Sequence, residues 1–522
     1  MGNEDFFLQT QAQLEEENAE LKKRVQELEA LNKWYMEQLK LLRQKKFGAS
    51  SEKSKRDDQE QLNLFNEAEA ERQPIAVEPD VETISYQRKK GKRGENIKDL
   101  PVEVIEYTLP EGEQTCPACG EELHVMSKEV RKELTIVPAK VKVIEHVNYV
   151  YGCRNCEKNN IETPIITANA PKALLPKSMV SAELMAYIMS QKFVNAMPLY
   201  RQEQEFKRLG VTLSRQNLSN WVIKGVALLE PLLAALKKEL LSRDLLHADE
   251  TTLEVLCEPG RPAQTDSYMW LYRTSGDTDH PVVLYDYQEG RSGQFAKAYL
   301  AGFSGYLQTD GWHGYHKVEE AGVTLCGCWA HVRRKFNEAL VGPAAKQPDS
   351  KEAIGLAYCN KLFDVEKKAE HMTPEERHEL RQKEAKPIIE EFYKWIEACW
   401  ADTLPQSLLG KALTYAQNQK KYLTAYLADG RIEISNNRAE RSIKPFVIGR
   451  KNWLFCNTPG GARSSAAVYS LIQTAAENGL NPQAYLEYAF RQIQLQDTLC
   501  IEKLLPWAEE IPVSCKMPNK KA

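Results

Sequence analysis

The stretch LLHADETTLEVL, Leu245–Leu256, decides the architecture of this chain. It opens on an apolar run, and from Asp249 its polarity alternates as in a strand buried on one face. Strand side chains alternate between faces, so Asp249, Thr251 and Leu253 share one face and Glu250 takes the other. The pattern continues downstream. SYMWLYRT (267–274) and PVVLYDYQ (281–288) read as strands, GQFAKAYLAGF (293–303) as a helix, and GYLQTDGWHGY (305–315) as a strand that ends at Asp310, just before Gly311. Several strands, then a helix, then a strand predict a mixed α/β sheet. Asp249 and Asp310 are both expected near strand ends.

A third acid lies far downstream. The segment ISNNRAERSIKPFVIGRKNWLF, Ile434–Phe455, is basic apart from Glu440, which sits between Arg438 and Arg441. Ser435 is a natural N-cap, and a helix is predicted from there toward Pro445. Residues four apart share a helix face, so Asn436, Glu440 and Lys444 form one stripe. An amide, a carboxylate and an ammonium group make poor core material but suit a site for a metal and a phosphate. Asp249, Asp310 and Glu440 together are hard oxygen donors that would bind Mg²⁺, or Mn²⁺, and leave positions for water and substrate. Two such ions about 3.5–4 Å apart stabilise the attacking and leaving oxygens of a phosphodiester displacement. Any one of these acids alone reads as a solvated charge.

Charge is segregated along the chain although the net charge is only −4. Residues 1–30 carry eight acids against three Lys/Arg, and residues 431–463 carry seven Lys/Arg against two acids. Arg438, Arg441, Lys444, Arg450 and Lys451 read as grips on backbone phosphates, whose hold weakens with salt. A solvated basic face is the plainer alternative. NTPGGARSS (457–465) is a plain turn in preference to a phosphate cradle. CWAHVRRKF (328–336) offers Cys328 and His331 as half a zinc site with no second half nearby in sequence. A structural role for His331 is the alternative reading.

Upstream, residues 181–240 have a helical pattern. In MPLYRQEQEFKRLGVTLSRQNLSNWV, Gly210 suits the end of one helix and Ser214 the N-cap of the next. Arg215, Gln216 and Asn220 would be exposed, while Leu218, Trp221 and Val222 pack inward. That is a helix-turn-helix pattern, although many such pairs bind nothing. Earlier come two C-x2-C pairs, Cys116/Cys119 and Cys153/Cys156, separated by residues that alternate like strands. This is the layout of a closed, structural zinc ribbon, the alternative being two hairpin turns with unligated thiols. Residues 47–96 read as a linker, in which RKKGKR (88–93) suits either a basic arm on DNA or a solvated stretch. At the N-terminus Leu14, Leu21, Leu28, Tyr35 and Leu42 recur every seven residues, with Asn18, Val25, Asn32 and Leu39 between them. The pattern predicts a coiled coil that pairs two copies; a single amphipathic helix on its own domain is the alternative.

The 522 residues suffice for three or four domains. No run approaches the roughly 18 to 20 apolar residues of a membrane span. The acidic start MGNEDFFLQTQAQLEEEN lacks the features of a signal peptide. A cytoplasmic protein with no membrane partner is expected, and in that reducing compartment the twelve cysteines predict a metal site plus core thiols.

The blocks LLHADET, YLQTDGWHGY, CWAHVRRKF and SNNRAERSIKPFVIGRKNWLF resemble those of the insertion sequence 66 family of transposases. The likeness extends to the N-terminal zipper with FGASSEK, both C-x2-C pairs, the helical pair and the C-terminal AYLEYAFRQI. It implies a ribonuclease-H-like catalytic core and a DDE triad at Asp249, Asp310 and Glu440, with the wider gap between the last two. It also implies DNA, both transposon ends and target, as partner. Cys328, His331, Arg333 and Arg334 would form a signature beside the site, supporting it or touching DNA. Accessory proteins from the same element are usual in the family.

The expected organisation is a coiled coil at 8–46, a linker at 47–96, a zinc-ribbon-like module at 97–170 and a helix-turn-helix region at 171–240. The core follows at 241–337 and 431–458, divided by a helical insertion at 338–430, in which Thr373, Pro374 and Glu376 spell a capping box. A helical region at 459–522 ends the chain. A catalytically dead or regulatory DNA-binding relative, and a nuclease that cuts without joining, are the rival functions.

Overall fold

The computed structural model describes residues 140–152, 165–167, 171–341, 347–495 and 500–518. The expected coiled coil, the linker with RKKGKR and all four paired cysteines lie outside them. The chain divides into two units, Ala49–Val143 and the remainder. Every strand and helix named below belongs to the larger unit.

Strands β1 (Val150–Gly152) and β2 (Ile165–Thr167) pair antiparallel in the stretch expected to be a ribbon. The alternating residues Val141–Tyr149 just before them carry no strand, contrary to expectation, and their apolar side chains stand exposed.

The predicted helical pair is present. After α1 (Ala182–Phe193), α2 (Leu199–Arg208) turns through Gly210, at φ +83°, into α3 (Arg215–Leu241). Ser214 caps α3 by accepting from Asn217 N–H at 3.2 Å. At 27 residues α3 is far longer than a recognition helix requires, and it is long and apolar enough by length and composition to cross a membrane. Its apolar run is interrupted by Lys224 and Glu230, in keeping with the expectation that no unbroken run of that length exists. Leu218, Val222, Leu229, Leu232, Leu236 and Leu240 are buried in the main core, as in an interior helix.

The mixed sheet is the centre of the fold. Its strands are β3 (Leu245–Glu254), β4 (Asp266–Thr274), β5 (Val283–Gln288), β6 (Tyr306–Gln308) and β7 (Thr324–Cys326), in the order β5-β4-β3-β6-β7. β3, β4 and β5 form an antiparallel meander, while β6 and β7 run parallel to β3. Helix α4 (Gly293–Tyr299) makes the crossover to β6. The pairing of β6 with β3 covers only Leu245–His247, so β3 is open on that side from Ala248 onward.

After β7 comes α5 (Trp329–Ala339), then the predominantly helical stretch α6 (Lys351–Lys368), α7 (Pro374–Leu380), α8 (Lys386–Cys399) and α9 (Leu408–Asn418). The capping box is formed: Thr373 and Glu376 each accept the other's backbone N–H. These helices enclose a second apolar cluster around Trp329, Phe336, Phe392 and Leu413.

Helix α10 (Asn437–Trp453) returns the chain to β3 and β4. It begins after Asn436, not Ser435, and passes through Pro445 where the sequence suggested a stop. An interior proline costs about 3 kcal/mol. The buried Ile443 and Phe446 each recover about 1.5–3 kcal/mol, so packing decides the outcome. Helix α11 (Pro459–Glu477) covers the edge strand β5. Its Ser470 and Thr474 hydroxyls accept the β5 amides of Tyr285 (2.8 Å) and Val283 (3.0 Å), which satisfies an otherwise open edge. Helix α12 (Pro482–Leu495) packs against α1 and α11.

Candidate active site

Helix α10 is fastened along β3 at three places. At its start, Asn436 Nδ2 donates to Ala248 O at 2.8 Å, just past the end of the β6 pairing, and Asn436 Oδ1 accepts from His247 Nδ1 at 3.0 Å. Farther along, Arg450 donates to the Thr251 hydroxyl at 3.2 Å and to Thr252 O. Beyond its end, Cys456 N–H donates to Glu254 O at 2.9 Å. With the helix so fixed, Glu440 faces the same gap as Asp249. Asp310 reaches that gap from the turn after β6, where its Oδ1 accepts Trp312 N–H at 2.9 Å. Tyr415 packs against the α-carbon of Gly311, leaving no room there for a side chain.

A cavity of about 350 Å³ results, lined by Asp249, Glu250, Thr251, Asp310, His331, Asn436, Glu440, Ile443, Lys444 and Val447. All three predicted acids line it, and so does the whole predicted stripe of Asn436, Glu440 and Lys444. Burial raises Asp249 well above the usual carboxylate range, and the neighbouring Glu250, Asp310 and Glu440 charges push it further. Glu250 is raised by burial and by Asp310, against the opposing hold of Tyr315 and Arg291. The Tyr315 hydroxyl donates to it at 2.5 Å and Arg291 Nε at 2.8 Å.

Glu250 is the residue that sequence reasoning missed. Alternation put it on the opposite face from Asp249. Once the β6 pairing stops at His247, both flanks of β3 border the gap, and Glu250 joins the cavity wall. Its position directly after Asp249 was the only local signal.

The remaining predicted residues divide by their partners. His331 Nε2 lies 3.7 Å from Glu440 Oε1, and Arg334 Nη2 lies 3.4 Å from Glu440 Oε2. Burial lowers the His331 imidazole and Glu440 opposes that shift, so it is neutral at physiological pH. Cys328 is buried at the start of α5, and its sulfur accepts Asn436 N–H at 3.1 Å. Arg333 turns away, donating to Asn360 at 2.7 Å on α6. Arg438 pairs with Glu433 at 2.5 Å, and Arg450 is occupied by β3. Each of these three has protein partners among the described residues, and for Arg333 that agrees with the supporting role its signature offered. Arg441 and Lys451 are exposed on α10. Arg215, Gln216 and Asn220 are exposed at the start of α3, with Arg215 over the Tyr200 ring.

A sheet edge with converging carboxylates, an ammonium and nearby guanidinium groups can bind divalent cations and phosphodiesters. Comparison with known proteins gives the family of the chain. The family described as "Transposase IS66 family" matches residues 177–464. The "zinc-finger binding domain of transposase IS66" matches 113–157, a span that includes all four paired cysteines. The "Transposase C of IS166 homeodomain" matches 34–105 and the "IS66 C-terminal element" 470–507. Among individual relatives, the uncharacterized protein y4qI of Sinorhizobium fredii (strain NBRC 101917 / NGR234) is 32% identical over 78% of this chain and 75% of its own length. The uncharacterized protein y4jD of the same organism is 31% identical over 83% of this chain and 86% of its own length.

Proposed function

The chain belongs to the IS66 family of transposases, and on that premise we propose that it cuts DNA at the ends of a mobile element and joins them to target DNA through Asp249, Asp310 and Glu440. The observation that carries this reading is the shared cavity: three carboxylates from distant parts of the chain meet beside one lysine. The order β5-β4-β3-β6-β7, with an antiparallel meander followed by two strands parallel to the first, supports a ribonuclease-H-like core.

The donor set suits hard divalent cations. Asp249 is held above its usual range by burial and by other carboxylates, and Glu440 Oε1 is buried without a hydrogen-bond partner among the described residues. Positive charge placed among these oxygens would relieve both conditions. Asp249, Asp310 and Glu440 would hold Mg²⁺ or Mn²⁺, which supply Lewis acidity to the phosphate and to the attacking oxygen. The protein contributes position and charge. Lys444 faces the cavity, where its ammonium pairs with a non-bridging phosphate oxygen. Arg334 exchanges its contact with Glu440 for substrate phosphate. In cleavage, water attacks phosphorus and the 3′ oxygen leaves as a hydroxyl; in joining, that 3′ hydroxyl attacks a target phosphodiester and displaces the target strand's own 3′ oxygen, which leaves as a hydroxyl.

In the same reading, Cys116, Cys119, Cys153 and Cys156 hold a structural zinc. Arg215, Gln216 and Asn220 face DNA from the start of α3, and residues 8–46 pair protomers. The protein acts in the cytoplasm. The test is incubation of the full chain with duplexes carrying the element's ends and Mg²⁺. Cleavage leaving 3′ hydroxyls, followed by joined products, is expected. A folded protein that binds the ends and leaves them uncut overturns the enzymatic reading; cleavage without joined products overturns the transfer step.

A further inference from the structure

Cys328 and His331 have the spacing of half a metal site, and the fold supplies a third donor from α10, far along the chain. The Cys328 sulfur, a His331 ring nitrogen and a Glu440 carboxylate oxygen all lie within 4.8 Å of one another. Glu440 Oε1, the oxygen 3.7 Å from His331 Nε2, is buried and has no hydrogen-bond partner among the described residues. The sulfur is held by an amide donor: Asn436 N–H reaches it at 3.1 Å, while His331 N–H donates to the Cys328 carbonyl oxygen at 3.2 Å. Outer hydrogen bonds of this kind orient and steady a ligating atom.

We propose that Cys328, His331 and Glu440 form a three-donor site for a borderline or soft divalent cation such as Zn²⁺ or Co²⁺, chemically distinct from the all-oxygen set at Asp249 and Asp310. Thiolate and imidazole favour zinc and its neighbours, whereas carboxylates and water favour magnesium. Zinc bonds of about 2.0–2.3 Å put its donors about 3.5 Å apart, so the set must close by about 1 Å. Glu440 is part exposed, and its other carboxylate oxygen meets the exposed Arg334 at 3.4 Å. On binding, the Cys328 thiol releases its proton to water and its sulfur donates an electron pair to the cation; nothing is oxidised. A cation held here draws Glu440 away from the hard-cation set, so zinc would inhibit the cleavage proposed above. That consequence rests on the proposed function; the binding itself does not.

The test is cobalt titration of the full chain already loaded with zinc at its paired cysteines, read by the thiolate-to-cobalt charge-transfer absorption. The wild type is expected to take up cobalt and develop the band. Cys328→Ser should lack the band, and His331→Ala should need at least about tenfold more cobalt to reach it. Asp249→Asn and Asp310→Asn should keep it, which separates this site from the hard-cation set whether or not the protein cleaves DNA. No band in the wild type, or an equal band in Cys328→Ser, overturns the proposal. If Cys328→Ser fails to fold by circular dichroism, His331→Ala decides, and unchanged cobalt affinity in that variant overturns it.

Discussion

Asp249 bears the electrostatic cost of the cavity. Burial and three neighbouring carboxylates raise its folded-state pKa above the unfolded value, so the ionised form destabilises the fold. The sign follows from linkage: this group's penalty is absent below the unfolded pKa and grows as pH rises toward the folded one. At neutral pH and without divalent cations, Asp249→Asn is therefore expected to melt higher than the wild type. Added Mg²⁺ should raise the melting temperature of the wild type more than that of the variant. Thermal melts with and without chelator check both statements; a variant that melts lower in chelator contradicts them. His247 works in the opposite sense. Burial lowers its pKa from 6.5 to about 4, so it is neutral in the fold and must be charged at acid pH. The stability it preserves is full above pH 6.5 and is lost as pH falls toward 4, by about 3 kcal/mol. Denaturant titrations across that window should show a correspondingly smaller loss in His247→Gln.

Asn436 is where separate elements are tied together. It joins α10 to β3 through Ala248 O, receives the His247 ring, and gives its own amide to the Cys328 sulfur at the start of α5. Asn436→Ala leaves a buried carbonyl and a buried ring nitrogen without partners, at about 1–3 kcal/mol each. Chemical denaturation should report a loss on the order of 3 kcal/mol, and cleavage should fall because Glu440 loses its register with Asp249. A loss within error of zero would remove Asn436 from this role. Local periodicity was enough to read strands β3 to β6, the helical pair at α2 and α3, and the stripe on α10. It did not reveal β7, a short strand made by its parallel pairing with β6. It also stopped α10 at Pro445, because the packing of Ile443 and Phe446 that overrides the proline involves strands far earlier in the chain. The protein partners of Arg438 and Arg450, Glu433 and β3, were not inferable from spacing alone, nor was that of Arg333, Asn360.

Across the molecule, the site is made by chain return. β3 supplies one acid, the turn after β6 a second, and α10 brings the third back after the helices of the second apolar cluster. The sequence pointed to all three acids and to Asn436, Lys444 and His331 beside them, but not to Glu250 or to the closeness of Cys328 and His331 to Glu440. Glu250 enters because a strand pairing ends early, and the Cys328–His331–Glu440 cluster because two distant segments converge. Arg441 and Lys451 stand exposed on the helix that carries Glu440 and Lys444, and in the proposed function they meet DNA phosphate. Replacing both with alanine should weaken end binding and reduce the slope of log affinity against log salt by about 1 per residue. An unchanged slope in a salt titration would assign these side chains to solvent.

The decisive measurement is exchange of one oxygen ligand for sulfur. Asp310→Cys, shown to be folded and to bind end DNA, should fail to cleave in Mg²⁺ and recover cleavage in Mn²⁺, which accepts sulfur more readily. Cleavage at the wild-type rate in Mg²⁺, or no recovery in Mn²⁺, would contradict a metal-ligating role for Asp310 and with it the metal-dependent cavity proposed here.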